Sequence, residues 1–264
     1  MLNLDQKLNK TAVVDNLNVE RQILDVTPSE PINTWTRTDR LIGMWSAIAI
    51  VFLSVAYIVT GAVWLISNAR VAQERGLEPS EPFLSILEAL LLLSTPAIVT
   101  LFAAMHAYAP ANRKTCSLAA FGFALFLSGI TGTIHFVQLT AIRRVSSNVI
   151  AEVFALYDPH GGLTPVLSMD LVAWDFFFGF ALLLAATIFR GDKLRVAIRA
   201  TFVTAGVLCL AGIAGPASGN LKFQYPAIVG YAFVFPFVCL LLAIFFARSA
   251  KPQMSPTDLE NRDY

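Results

Sequence analysis

Six long apolar stretches dominate the sequence, and each is long enough to cross a lipid bilayer as one helix. A spanning helix needs about 20 mainly apolar residues. The stretches that meet this length are 41–67, 84–109, 117–142, 165–189, 197–218 and 226–247. Their hydrophobicity is continuous rather than alternating, which argues against the strands of a membrane β-barrel. The sequence therefore predicts an all-α, polytopic membrane bundle of six helices.

Composition agrees with a membrane protein and argues against several other classes. Hydrophobic residues make up 56% of the 264 positions and charged residues only 14%, whereas soluble domains carry about 25% charged residues. The formal net charge of +1 gives no electrostatic support for nucleic-acid binding. The three cysteines have neither a metal-ligand spacing nor a disulfide framework. We expect no metal and no cofactor.

Polar segments flank the apolar region at both ends. Residues 1–40 form a polar N-terminal tail that we expect to be partly disordered, and 248–264 form a polar C-terminal tail around the transmembrane domain at 41–247. The N-terminal tail lacks the apolar core and cleavage site of a secretory signal. At its end, Thr38 or Asp39 is the candidate N-cap of the first membrane helix.

Positive charges near the predicted spans indicate the orientation of the chain. An even number of spans puts both termini on the same side of the membrane. When both termini are placed inside, ten lysines and arginines flank the spans on the inner side and five on the outer side. The positive-inside rule therefore predicts that both termini are cytoplasmic.

Small residues and prolines inside the spans indicate how the helices pack. Small residues that recur every four positions let neighbouring backbones approach. Two such sets occur, one in the third stretch and one in the fifth: Ala124, Ser128 and Gly132, and Ala211, Gly215 and Gly219. Pro96 in the second stretch and Pro236 in the sixth each remove one backbone hydrogen bond, which permits a kink.

The segment LVAWDFFFGF at 171–180 places an aspartate inside a stretch that otherwise suits a membrane interior. An ionised carboxylate near a helix centre costs about 2.5–3.5 kcal/mol even on the lenient insertion scale. Asp175 would avoid most of that cost by facing the bundle interior and holding a proton, because desolvation disfavours the charged form. We therefore interpret Asp175 as a candidate catalytic acid. The alternative is a structural hydrogen bond between helices.

The other ionisable residues of the spans fall in the same half of the membrane. Depths follow from taking each helix centre as the midplane, with a rise of about 1.5 Å per residue. The outward displacements are about 3 Å for Asp175, about 10 Å for Asp170, about 8 Å for His135 and about 13 Å for Glu88. The inner half contains no acidic residue, and its only candidate ion is His106. These four outer residues are our candidate catalytic groups.

Aromatic and polar side chains of the same half are the candidate substrate-binding residues: Trp174, Gln138, Tyr57 and Tyr231. Gln138 is three residues from His135 and shares its helix face, where the two would relay or orient a proton. Aromatic ring faces stabilise a developing carbocation. The rings available for this role are those of Trp174, Tyr231, Phe233 and Phe235.

Each candidate also has a plainer interpretation. Asp170 lies near the start of its helix, where the helix dipole favours a carboxylate. Glu88 lies almost at the headgroups, and His135 would also serve as a packing residue. A metal site built from Glu88, His135 and Asp175 has the right ligand types, but no paired-histidine or HxxE spacing supports it.

Three classes of function are compatible with this pattern. The first is an enzyme that protonates an alkene or epoxide of an apolar small molecule within the membrane. The second is proton-coupled or small-solute transport through Asp175 and His135, and the third is a non-catalytic membrane subunit. Transport is weakened because the inner half offers only neutral polar groups: Ser94, Thr95, Ser128 and Thr204. We favour the enzyme.

In plan, the helical region of roughly 41–247 resembles the small membrane-embedded terpene cyclases of secondary metabolism. Both are all-helical, of similar size, with acidic residues inside a bundle. No sequence motif is matched, and those cyclases commonly have seven spans where this chain has six, so no functional residue is carried over. The resemblance implies acid-catalysed cyclisation or isomerisation of an isoprenoid-like substrate. The expected partners are the lipid bilayer and that apolar small molecule.

Overall fold

A computed structural model describes residues 35–68, 81–144, 156 and 163–249. Most of the two predicted tails lies outside the described residues. Within this part no strand occurs, and six helices are long and apolar enough to cross a membrane. Spans 1 to 6 are Arg37–Ser67, Phe83–Tyr108, Ala111–Thr140, Pro165–Ala186, Lys193–Ser218 and Leu221–Arg248. The predicted all-α, multi-pass fold is confirmed. "Outer" and "inner" below follow the predicted orientation.

Polar side chains cap spans 1, 4, 5 and 6, because the first four backbone N–H groups of a helix have no partner within it. Span 1 is capped by Thr36, whose hydroxyl accepts from the Asp39 N–H at 3.2 Å, while the Asp39 carboxylate accepts from the Thr36 N–H at 2.9 Å. This reciprocal arrangement is a capping box. The helix thus begins at Arg37, and the predicted N-cap, Thr38 or Asp39, is wrong by two or three residues.

The six spans pack in chain order as a closed ring. Each span contacts the next one along the chain, and span 6 returns to contact span 1. Inward of the candidate site, the centre of the ring is filled by phenylalanines. The Phe178 ring centroid of span 4 lies 4.7 Å from that of Phe235 in span 6 and 6.4 Å from that of Phe102 in span 2. Tilted and edge-on ring contacts at these distances are favourable.

A second aromatic cluster packs at the inner end of the bundle. Tyr108 and Phe189 both lie edge-on to Phe245, at centroid distances of 5.0 and 5.7 Å. The Arg195 guanidinium lies 5.7 Å from the centroid of the Phe245 ring, a distance at which a cation is attracted to an aromatic face. The inner end is therefore packed by large rings and carries a positive charge.

Glycines bring spans 4 and 5 into close backbone contact. A Cβ added to Gly206 would lie 2.9 Å from the carbonyl oxygen of Gly179, and one added to Gly179 would lie 3.3 Å from the carbonyl oxygen of Gly206. The predicted contact stripe of span 5 is wrong at two of its three positions, because Ala211 is exposed and Gly219 ends the helix with a φ of 68°. The helix is interrupted at Ile213, between Lys193–Gly212 and Ala214–Ser218, and only Gly215 of the three is buried.

The corresponding stripe of span 3 does face a neighbour. Ala124 and Ser128 are buried, and a Cβ added to Gly132 would lie 3.4 Å from the Thr95 hydroxyl of span 2. That hydroxyl donates to the Leu92 carbonyl at 2.8 Å. This carbonyl is the one left without its N–H partner by Pro96. The Thr95 hydroxyl therefore supplies the hydrogen-bond donor that Pro96 cannot.

We predict that Gly206→Ala destabilises the bundle. The added methyl would press on the backbone of span 4, which cannot move aside as a side chain can, so we expect a loss of about 1–3 kcal/mol in the free energy of unfolding. The matched control is Gly129→Ala, where a Cβ meets nothing within 4 Å and helix propensity favours alanine. Unfolding in mixed micelles measures both. Equal stability of the two variants would contradict the close contact.

Candidate functional site

Glu88 of span 2 and His135 of span 3 form a buried hydrogen-bonded pair. The bond joins the His135 Nδ1 atom to the Glu88 Oε2 atom. Glu88 is 2% exposed and His135 is 0% exposed, so the pair lies inside the bundle rather than at its surface. When Glu88 is ionised, only the ring N–H can donate in this bond. The lone pair of the imidazole is then on the Nε2 atom.

Asp170 of span 4 faces the other nitrogen of the same imidazole. Its Oδ1 atom lies 3.9 Å from the His135 Nε2 atom, which is beyond hydrogen-bond distance. The same oxygen accepts a hydrogen bond from the Thr131 hydroxyl at 2.9 Å. Within the described part of the chain, the His135 Nε2 atom is buried and has no hydrogen-bond partner. Glu88, His135 and Asp170 thus form an interrupted chain of titratable groups.

Thr131 was not among the predicted site residues. It lies four residues before His135 on span 3 and therefore on the same helix face. That spacing was the available signal, but threonine hydroxyls in membrane helices commonly bond to their own backbone. Thr133 and Thr140 do so here, at 2.7 Å each. The sequence offered no way to separate Thr131 from them.

Asp175 is held by a different partner. Its Oδ1 atom accepts a hydrogen bond from the Gln224 side-chain amide at 2.8 Å, and the residue is 1% exposed. In the described residues its Oδ2 atom has no hydrogen-bond partner. His135 therefore makes its hydrogen bond with Glu88 and its close contact with Asp170. Asp170 in turn is near enough to Asp175 for the two carboxyl groups to interact electrostatically.

A π-helical segment at Val172–Phe177 changes the direction in which Asp175 points. Asp170 and Asp175 are five residues apart, and in an unbroken α-helix their side chains would differ in direction by about 140°. The i→i+5 bonds of a π segment widen each turn, so residues five apart lie nearer to the same face. The segment therefore turns Asp175 toward the side of the helix that carries Asp170.

A second π segment in span 6, Gly230–Val234, carries Tyr231. It ends two residues before Pro236, which has no N–H to offer the Ala232 carbonyl in an α-helical register. The ring centroids of Tyr231 and Trp174 lie 5.1 Å apart. The two π segments thus meet through two of the predicted binding residues, and irregular turns of this kind occur frequently at functional sites.

The other predicted aromatic and polar residues do not all face the interior of the bundle. Phe233 is 56% exposed and points away from the bundle interior, so its predicted role is wrong, while Phe235 is buried against Phe178 in the core. Tyr57 and Gln138 are half-buried and both interact with other residues. Tyr57 lies within electrostatic range of Tyr231. Their roles in binding stay predictions.

Gln224 is a second residue of this region that the sequence analysis did not predict. It belongs to the short 3-10 turn Leu221–Gln224, which the prediction placed outside the last span, yet it is 4% exposed. Two glycines of span 5 make room for it and its partner. A Cβ on Gly215 would lie 3.0 Å from the Gln224 Oε1 atom, and one on Gly212 would lie 3.2 Å from the Asp175 Oδ1 atom.

The described residues include no group of three His, Cys, Asp or Glu side chains arranged to hold a metal ion. Three of the four hydroxyl groups predicted to line the inner half bond to their own helices, whereas the Ser128 hydroxyl is buried with no hydrogen-bond partner in the described residues. Ser94 donates to the Leu91 carbonyl at 2.7 Å, and Thr204 donates to the Ala200 carbonyl at 3.0 Å. These bonded hydroxyls do not continue the titratable groups of the site into a polar path.

Comparisons with protein-family models, with curated proteins and with solved structures find no match to this chain. The resemblance to membrane-embedded terpene cyclases gains no support from them. The chemistry of the site therefore follows from its own residues and their geometry.

We predict strong energetic coupling between Glu88 and His135. Removing either side chain leaves the other buried without its partner, so the double variant should lose less stability than the sum of Glu88→Ala and His135→Ala. We expect a coupling energy of about 1–3 kcal/mol in the free energy of unfolding. As a control, Glu88→Ala combined with Ser117→Ala, which alters a hydrogen bond at the inner end, should be additive within about 0.5 kcal/mol. Additivity in the first pair would contradict the bond.

Proposed function

We propose that this protein is a membrane-embedded enzyme that uses acid–base chemistry to cyclise or isomerise an apolar, isoprenoid-like small molecule. The observation that supports it best is the Asp175 Oδ2 atom, which is buried and has no hydrogen-bond partner among the described residues. An ionised carboxylate in that position would be costly. A neutral carboxylic acid in apolar surroundings is instead a proton donor, as catalysis of this kind requires.

The reaction begins with transfer of the Asp175 proton to one carbon of an alkene. A C–H bond forms, the π bond of the alkene breaks, and a carbocation results. In a cyclisation, a second alkene of the substrate attacks this cation and forms a C–C bond; an isomerisation omits this step. Loss of a proton from a neighbouring carbon re-forms a double bond. The substrate gains one proton and loses one, so no oxidant or reductant is needed.

The interrupted chain of Glu88, His135 and Asp170 supplies the base. Glu88 fixes the imidazole by its Nδ1 atom and leaves the Nε2 atom free of hydrogen-bond partners in the described structure. A base oriented in this way by a carboxylate is a recurrent arrangement in acid–base catalysis. Asp170, which is 3.9 Å from that nitrogen and interacts with Asp175, then returns the proton to the acid.

Aromatic rings next to Asp175 suit a cationic intermediate. Trp174 and Tyr231 are half-buried and in ring contact, so their faces can stabilise positive charge through cation–π attraction. Low water content around the site limits quenching of a carbocation. Because Asp175 is 1% exposed, the substrate reaches it only when neighbouring side chains move apart, and such gating is common in enzymes.

Proton-coupled transport fits the arrangement less well. Alternating access needs a route from the site to both faces of the membrane. Inward of the site, the bundle centre is filled by Phe102 and Phe178, both at most 1% exposed. The hydroxyls of Ser94 and Thr204 are bonded to their own helices. These features favour a site that is reached from one half of the membrane only.

We predict that Asp175→Asn abolishes formation of the product in a producing host. Asparagine keeps the shape of the side chain but has no acidic proton, so the yield should fall at least about 100-fold, the usual contribution of general acid catalysis. Lipophilic metabolites are profiled at equal protein level. Asp192→Asn is the matched control, because Asp192 caps span 5 and asparagine is an equally good cap.

An unchanged metabolite profile in Asp175→Asn would contradict the enzyme. If solute uptake changed instead, the transport function would gain support. If only co-purification of a partner were lost, the non-catalytic subunit would be favoured.

We predict a smaller but clear effect for His135→Gln. Glutamine can still hydrogen-bond with Glu88 but cannot accept a proton at physiological pH, so we expect the product yield to fall about 10- to 100-fold. His106→Gln is the control, since His106 bonds to Ser117 at the inner end of the bundle. Metabolite profiling of the two variants makes the comparison. A similar yield in both would argue against His135 as the base.

A further inference from the structure

Gln224 lies against Asp175 but has no part in the proton transfers described above. Its side-chain amide nitrogen donates to the Asp175 Oδ1 atom at 2.8 Å, and the pair is buried. A tight turn and local hydrogen bonds hold the backbone that leads to Gln224 in place. Gly219 reverses the chain with a φ of 68°, the Asn220 N–H donates to the Gly215 carbonyl at 3.2 Å, and the Asn220 side chain accepts from the Lys222 N–H at 3.1 Å.

The chemistry of this bond distinguishes the two oxygens of Asp175. A neutral carboxylic acid has one carbonyl oxygen, which accepts hydrogen bonds, and one hydroxyl, which donates. The amide nitrogen of Gln224 carries two N–H donors and no acceptor. With the amide nitrogen on the Oδ1 atom, that atom is the carbonyl oxygen of the neutral acid, and the acidic proton is on the Oδ2 atom. That oxygen is the one without a partner in the described residues.

We propose that Gln224 is a positioning residue that fixes the rotation of the Asp175 carboxyl group and holds the acidic proton on the Oδ2 atom. This inference rests on the proposed acid catalysis by Asp175. Without the amide, the carboxyl group can rotate, so that the acidic proton points in either of two directions. One of these directions faces the glycines of span 5. The Oδ1 atom is on that side, 3.2 Å from the position of a Cβ on Gly212.

The experiment compares infrared spectra of the purified full-length protein in lipid nanodiscs at neutral pH. A carbonyl band of a protonated carboxyl group that shifts on deuteration and disappears in Asp175→Asn belongs to Asp175. In Gln224→Leu this band should move to higher wavenumber, because a carbonyl that loses a hydrogen bond has a stiffer C=O bond. Gln224→Asn, whose amide is one methylene shorter, should show the same shift and serves if the leucine variant fails to fold. Lys222→Gln, in the same turn, should leave the band in place.

Two results would overturn the proposal. The first is a wild-type spectrum without such a band, because Asp175 would then be ionised. The second is a band that stays in place when Gln224 is replaced. Product formation can be measured in the same variants. Gln224→Leu should lower the product yield about 10- to 100-fold, as small misplacements of catalytic groups do.

The spectra test the hydrogen bond of Gln224, and the metabolite profile tests the catalytic role of Asp175, so either proposal can fail while the other holds. If Asp175→Asn leaves the product unchanged while the band shifts in Gln224→Leu, the proposed function is wrong but the hydrogen bond is real. If Asp175→Asn abolishes the product while the band does not shift, Asp175 is the acid and Gln224 does not position it.

Discussion

The bilayer provides no water to satisfy polar groups, so each polar side chain inside this bundle depends on a partner from another helix or from its own backbone. Glu88 hydrogen-bonds with His135, Asp170 accepts a hydrogen bond from Thr131, and Asp175 accepts one from Gln224. These bonds tie spans 2, 3, 4 and 6 together at one end of the ring. Three buried atoms of these groups are left without a hydrogen-bond partner in the described residues: His135 Nε2, Asp175 Oδ2 and Gln224 Oε1.

Bringing those groups together requires departures from regular helices. The π segment Val172–Phe177 redirects Asp175, and the segment Gly230–Val234 carries Tyr231 to Trp174. Glycines at 212 and 215 leave the space into which Asp175 and Gln224 fit. Each departure weakens local packing or backbone hydrogen bonding, and the chain places them around the titratable groups. The inward part of the same spans is regular and filled with phenylalanine.

The sequence predicted the six spans within a few residues and the half of the bundle in which the ionisable groups lie, because both follow from apolar run length and chain direction. It did not predict the pairing of these groups, because helix order and rotation depend on packing between distant segments. Gln224 was missed because a polar residue at a span end is normally exposed, whereas here a glycine-based turn folds it inward. The span 5 stripe was wrong because the helix is interrupted at Ile213, which breaks its periodicity, and ends at Gly219.

The division of the site into an acid and a base on different spans bears on what chemistry it can perform. Two groups in opposite protonation states can add a proton at one carbon and remove another proton at a distant carbon of the same molecule. A single carboxyl group becomes a base only after it has given up its proton, and it then removes only a proton within its own reach. Asp175 and His135 have separate partners, Gln224 and Glu88, and each partner fixes one atom while leaving the other free. In the proposed reaction, Asp170, which lies near both, is the group through which the two states are restored after each turnover. The separation of acid and base then lets the proton be added at one carbon and removed at a distant one, so that the double bond moves or a ring closes.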